Sequence, residues 1–260
     1  MRISQGDLQY YRSVLDDIAT QATDYVRDAI EQLGDGQGVT AMREAAIEAL
    51  QESVSIHGEM SQSLAAQLFD EVCSMEGIGP FTFEMVDDII DFAMLEEKVR
   101  YYARSLVEDE GNAKFLNDCG QLADFYARRS NYESMVRNCY RNHVRYARVP
   151  TGMDTCDFCL MLASRGFVYY DQARAEEGSH MHCDCVVVPG NGADATSPTQ
   201  IEGYDPLELY RTWQDRLKST AMSRAKANDT SYQIERMKIM DSYKESARRA
   251  HKVHKYRYRR

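Results

Sequence analysis

Along most of this chain the apolar residues return every three or four positions, the period of a helix with one buried face, and strict alternation is rare. In the opening segment Leu8, Tyr11, Leu15, Ile18, Ala22, Tyr25 and Ala29 step in this way, a narrow heptad-like seam flanked by Asp16, Asp17, Asp24 and Asp28. Gly34, Gly36 and Gly38 end it. A second helix is expected from about Thr40, as N-cap, to Ile56, and a third from Gln62 to Cys73, where Leu64, Leu68 and Val72 share a face. The string Gly77-Ile78-Gly79-Pro80 is the next turn. From Thr82 to Arg148 helical composition continues, with interruptions near Glu108 to Asn112 and at Ser130 and Asn131.

The helical period is lost between Val149 and Pro189, where two short β-like runs occur, Phe167 to Tyr170 and Cys185 to Val188. Residues 190–204 carry no apolar period and read as a linker. Asp205 before Pro206 reads as an N-cap followed by proline at the first helical position. A last helical region then runs to about Ala250, with a soft spot from Asn228 to Ser231. The expected fold is therefore mainly α. Its parts are a helical region over 1–148, a small β-containing module over 149–189, the linker, a helical region over 205–250 and a basic tail over 251–260.

The length of 260 residues suits one large or two small domains. The net charge of −10 argues against a generally cationic coat for nucleic acid, yet it hides an asymmetry. Residues 1–100 hold 20 acidic and 6 basic side chains, whereas residues 101–260 hold 21 acidic and 25 basic. The front would repel a polyanion and the back tolerates one. The most apolar run, Ile89 to Leu95, is short and interrupted by Asp91, so no membrane span is expected. The opening residues lack the apolar core of a secretory signal, so no export is expected either.

Seven cysteines fall unevenly. Cys73, Cys119 and Cys139 are scattered and read as buried small hydrophobes. Cys156, Cys159, Cys183 and Cys185 cluster, with His180 and His182 beside them. Two thiolate pairs separated by a loop are what a tetrahedral zinc ion needs, since each pair supplies two ligands from one turn. The expected ligands are Cys156, Cys159, Cys183 and Cys185, with His180 as the alternative to one cysteine and His182 behind it. The zinc would be structural: four sulfurs leave no open position, and no His-Glu-x-x-His helix supplies a base.

These residues resemble a known pattern. Arg148-Val-Pro-Thr-Gly, then Cys156-Asp-Phe-Cys159 leading to Arg165-Gly166-Phe-Val-Tyr, then His180-x-His182-Cys183-Asp-Cys185 and a short run to Pro189, is similar to the core motif of tailed-bacteriophage minor head proteins related to the F protein of phage Mu, in the versions found in phages of actinobacteria. The resemblance covers about 40 residues of the 260. It implies a head-morphogenesis protein carried in the virion, inside the capsid near the portal, and in the host cytoplasm during assembly. Its partners would be the portal and other head proteins, and in some cases the genome. Relatives are often labelled maturation proteases, so a protease is the alternative to a non-enzymatic role. The nearest nucleophile and base for one would be Ser164 with His180 or His182.

Two basic features bear on the genome. Arg137, Arg141, Arg145 and Arg148 are spaced by four, four and three, which places them on one face of a helix, preceded by Arg128 and Arg129 and interleaved with Tyr140 and Tyr146. Such a row grips phosphates without reading bases, or else pairs with the acidic front of the chain. The tail holds Arg248, Arg249, Lys252, Lys255, Arg257, Arg259 and Arg260 with no acid among them, and reads as a disordered arm on DNA or else as a solubilising tail. The N-terminal seam, longer than one surface helix needs, is expected to carry self-association or partner contact. His57 and His143 read as surface or capping groups and Trp213 as a packing anchor.

Overall fold

The computed structural model describes residues 3–33, 38–107, 111–152, 155–169, 185–190 and 201–255, the last ten of these in backbone only. The first helix, α1 (Gln5–Glu31), begins on a reciprocal cap. Ser4 donates its N–H to the Asp7 carboxylate at 3.0 Å and the Asp7 N–H donates to Ser4 Oγ at 3.1 Å, so two otherwise orphaned donors are met. The Ser4 N–H, and then the Ser4 hydroxyl that donates to the same carboxylate at 2.8 Å, hold the Asp7 carboxyl below its usual range. Next come α2 (Val39–Glu76), α3 (Phe92–Tyr102), a 3-10 turn (Ala103–Val107) and α4 (Gly111–Arg141). The strands β1 (Arg145–Pro150) and β2 (Cys185–Gly190) flank α5 (Asp157–Ala163), and α6 (Pro206–Asn228) and α7 (Tyr232–Lys255) follow. The chain is mainly helical, as its periodicity implies, and no helix among the described residues is long and apolar enough to cross a membrane.

The chain divides into two compact units, each drawn from separate stretches. The first, here the helical unit, comprises Ser13–Gln67 and Phe83–Met135. Its core joins Ala22 and Val26 of α1, Leu50 and Val54 of α2, Leu95 and Val99 of α3, and Phe115, Leu122 and Tyr126 of α4. The crossing of α1 and α4 is close because Gly120 lacks a side chain: a Cβ there would lie 2.9 Å from Thr23 Cγ2, while Thr23 Oγ1 donates to the Gly120 carbonyl at 3.1 Å.

The two helices expected between Thr40 and Cys73 are one unbroken helix. Gly58 lies in its middle, where glycine costs about 1 kcal/mol relative to alanine, but it marks a close approach and not a break, since a Cβ there would sit 3.1 Å from Ser130 Oγ. Ser130 and Asn131 likewise do not interrupt α4. They are buried, and Asn131 Nδ2 donates to the Ser61 carbonyl at 2.8 Å, so the polar pair is an interhelical contact. Conversely, residues 81–91 are not helical. The Gln62 side chain takes both backbone groups of Val86, accepting from its N–H at 2.7 Å and donating to its carbonyl at 3.1 Å, in place of a helical ladder. Asp91 then caps α3 by accepting from the Met94 N–H.

The second unit comprises Met1–Arg12, Leu68–Thr82 and Val136–Arg260. Here α4 stops at Arg141, His143 turns left-handed at φ 55°, and the Val144 N–H closes on the Cys139 carbonyl at 2.8 Å. The stretch from Arg145, expected to remain helical to Arg148, is instead β1, because Val149 and Pro150 suit extended backbone and β2 offers Val186 to Val188 opposite. The antiparallel ladder runs from Arg145↔Gly190 to Pro150↔Cys185. Of the expected strand Phe167 to Tyr170, Tyr169 makes one isolated bridge, to Tyr146, and Tyr170 lies outside the described residues. The linker expected over 190–204 lies mostly outside them too, but its end is packed: Ile201 bridges to Ile3, and both are buried with Tyr204.

Asp205 caps α6 as its sequence implies, accepting from the Leu207 and Glu208 N–H groups at 2.9 and 3.2 Å. Asp229, left-handed at φ 50°, ends α6 at the expected soft spot. A smaller core forms from Leu160 of α5, Trp213, Leu217 and Ala221 of α6, and Ile239 of α7. Truncating Leu50, fully buried in the helical unit, to alanine is expected to cost roughly 2–5 kcal/mol in urea unfolding. Met85→Ala, at an exposed site, should stay within about 0.5 kcal/mol.

Candidate functional site

The cysteine cluster is organised around α5, a helix of seven residues. Cys156 is its N-cap: the residue is extended, and its Sγ accepts the Cys159 N–H at 3.4 Å. One helical turn therefore ties the two thiols of the Cys-x-x-Cys pair together, with Cys156 exposed and Cys159 fully buried. The other half of the cluster is approached through the ladder. Cys185 opens β2 opposite Pro150, the last residue of β1, and the chain from Pro150 reaches Cys156 six residues later. The Cys-x-x-Cys pair and the start of β2 are thus both tethered to one end of the two-stranded ladder.

Cys183, His180 and His182 lie outside the described residues. Among the described residues, no group of three or more His, Cys, Asp or Glu side chains is arranged to hold a metal ion, so the zinc expected to stabilise the module has no site there. Three of the five expected ligands, Cys156, Cys159 and Cys185, are among the described residues, and they are not grouped as a metal site there.

Side chains remote in sequence hold α5 at both ends. Arg216 of α6 donates to the Thr155 carbonyl at 2.8 Å and lies 3.7 Å from the Asp157 carboxylate. At the other end the hydroxyls of Tyr169 and Tyr204 donate to the carbonyls of Leu162 and Ala163 at 2.8 and 2.6 Å, beside the 3.3 Å bonds that these carbonyls accept from the Arg165 and Gly166 N–H groups. Burial raises the pKa of both tyrosines, so both remain donors at neutral pH. Tyr243 of α7 stacks obliquely on Phe158 with centroids 5.9 Å apart. Its hydroxyl is pushed up to about 12 by burial first, then by Asp157 and Cys156. Sequence reasoning passed over Arg216, Tyr169, Tyr204 and Tyr243; Arg216, Tyr204 and Tyr243 act across tens of residues, and no local pattern marks any of the four. Trp213, expected as a packing anchor, packs against Leu160.

The arginine row is not a helix face. Arg137 and Arg141 lie on α4, but Arg145 and Arg148 lie on β1 three positions apart, which sends them to opposite sides of the strand. Arg141 and Arg145 are exposed, whereas Arg148 is 3% exposed. Tyr146, expected to help stack bases, is buried and stacked on Tyr169 with centroids 5.4 Å apart. Within the helical unit Arg128 pairs with Asp16, in the acidic front of the chain, and with Asp124, while Arg129 pairs with Glu133. In the tail Arg248, Arg249, Lys252 and Lys255 continue the helical backbone of α7, so the segment to Lys255 is not a disordered arm. Arg257, Arg259 and Arg260 lie outside the described residues.

Other candidates resolve into structure. Ser164 ends α5, its hydroxyl donating to the Met161 carbonyl at 2.9 Å. The N-terminal seam is spent inside the chain: Leu8, Tyr11, Leu15, Ile18 and Ala22 are all buried, so the face expected to carry self-association is part of the core. His57 is buried rather than superficial, with Nδ1 2.8 Å from the Ser53 carbonyl and the ring edge-on to Tyr25. Cys73, Cys119 and Cys139 are buried as expected. Burial, reinforced by nearby carboxylates, pushes the Cys73 and Cys119 thiols up to about 12, and burial raises Cys139 well above its usual range, so all three are neutral at physiological pH.

No curated protein and no solved structure matches the chain. A family model described as VG15 protein matches residues 2–216, a span that includes the first five helices, both strands, every residue of the cysteine cluster and α6 as far as Arg216. On this match over most of its length, the chain belongs to the VG15 protein family, a family of phage proteins.

Proposed function

We propose that this chain is a minor head protein: a non-enzymatic head-morphogenesis component, carried inside the capsid near the portal vertex, whose cysteine module is closed by a structural zinc ion. The observation that carries the reading is the tethering of the Cys156-x-x-Cys159 turn and of Cys185 to one end of the β1–β2 ladder. The described part of the motif that resembles phage minor head proteins thereby coincides with a built local structure. Membership in a phage protein family supports the same reading. Zinc suits the donor chemistry: Cys156, Cys159, Cys183 and Cys185 are soft ligands, with His180 as the alternative to one of them. A metal offsets the smallness of a module whose own strands number two. In this role the helical unit presents its surface to the portal or other head proteins.

Particles assembled with the wild-type chain should contain it in small copy number by quantitative mass spectrometry. The Cys156→Ser chain, with its module opened, should be lost from them. Particles that lack the wild-type chain would contradict the assignment, as would specific trimming of co-expressed capsid protein that Ser164→Ala abolishes, which is the result a maturation protease gives.

The basic end of α7, with Arg141 and Arg145 exposed elsewhere in the same unit, is proposed to meet packaged DNA through phosphates. Each phosphate contact adds about 0.9 to the slope of log affinity against log salt on duplex DNA. Deleting residues 248–260 should lower both the affinity and that slope, with negligible sequence preference before or after. Equal binding by the two chains at low salt would remove the genome contact from the account.

A further inference from the structure

The outward side of the helical unit carries a groove of about 680 Å³ between α1 and α2. Its floor is Ile18, Ile56, Met60 and Leu64, and Asp17 and Glu59 stand on its rim. Ile56 and Met60 are 45% and 40% exposed, unusual for large apolar side chains set next to each other on one helix. No basic side chain lines the groove, and neither Asp17 nor Glu59 forms an ion pair among the described residues. The unit around it holds 22 acidic and eight basic side chains, net −14. An occupant must therefore supply apolar contact and positive charge together.

The chain itself contains such a segment. Residues 246–260 carry seven lysines and arginines and no acid, and Ala247, Ala250 and Val253 recur every three positions among them, with Tyr256 and Tyr258 beyond. The backbone is helical through Lys255. At 1.5 Å per residue, residues 246–255 form a rod of roughly 15 Å, and the stretch of α2 from Ile56 to Gln67 that lines the groove is about 17 Å long. The backbone of α7 runs without a break from Ile239 and Tyr243, which pack in their own unit, to Lys255.

We infer that the groove between α1 and α2 is the docking site for the basic C-terminal segment, residues 246–260, of a second copy of this chain. The apolar positions of the segment lie along Ile56, Met60 and Leu64, and its cations meet Asp17 and Glu59, a helix-in-groove contact steered by charge. Such pairing joins the front of one copy to the back of the next. It stands independently of any contact with DNA.

Sedimentation velocity on nuclease-treated, full-length chain tests this. At about 50 mM salt, self-association should rise with protein concentration and weaken tenfold or more by about 500 mM, as the Debye length shrinks from above 10 Å to a few ångströms. Asp17→Lys with Glu59→Lys should abolish it, as should Arg248→Glu with Arg249→Glu, while a mixture of the two variants should associate again. A labelled peptide of residues 246–260 should bind the wild-type chain and not the groove variant. A monomer at every concentration, association indifferent to the groove substitutions, failure of the mixed variants to associate, or association that depends on added DNA would each overturn the inference.

Discussion

A seven-residue helix has too few internal hydrogen bonds to offset its nucleation cost, so α5 exists only because the rest of its unit holds it. That hold is assembled from several places in the sequence. Cys156 caps the first turn, Arg216 of α6 fixes the carbonyl just before it, and Tyr169 and Tyr204 take the carbonyls at its end. Leu160 sits in the core that Trp213, Leu217 and Ile239 form. Each hydrogen bond contributes about 1 kcal/mol and the buried carbonyls would cost more if left unmet, so the constraints are individually modest and collectively decisive. Their common effect is to fix the Cys156-x-x-Cys159 turn within its unit.

This organisation was partly legible beforehand. The cysteine spacing, the N-cap at Asp205, the left-handed break near Asp229 and the strand from Cys185 all rest on local chemistry that a sequence displays. Features decided by distant partners were not legible. Gly58 looks like an interruption until Ser130 is found against it, and Ser130 with Asn131 looks like a break in α4 until Ser61 is found across from them. Residues 81–91 have helical composition, but one glutamine, Gln62, satisfies their backbone at Val86. The arginine row failed for a related reason: a spacing of three or four carries meaning on a helix alone, and His143 ends the helix between Arg141 and Arg145.

Charge follows the units of the fold and not the halves of the chain. The helical unit takes stretches from both sides of residue 68, and its net −14 leaves +4 for the unit that holds the cysteines and the basic end of α7. A polyanion is thus tolerated by one unit and repelled by the other. The heptad-like seam of α1, which in isolation reads as a surface for a partner, is consumed by the chain's own core. What remains on the outside of α1 and α2 is an acidic rim over an apolar floor, a different surface with a different chemistry.

The central proposal is that Cys156, Cys159, Cys183 and Cys185 form one closed metal centre. X-ray absorption at the zinc edge, on protein purified without added metal, reads that centre directly. The account predicts one zinc per chain with four ligands, three or four of them sulfur near 2.3 Å. A folded preparation without zinc, or a first shell of nitrogen and oxygen at about 2.0–2.1 Å, would contradict it.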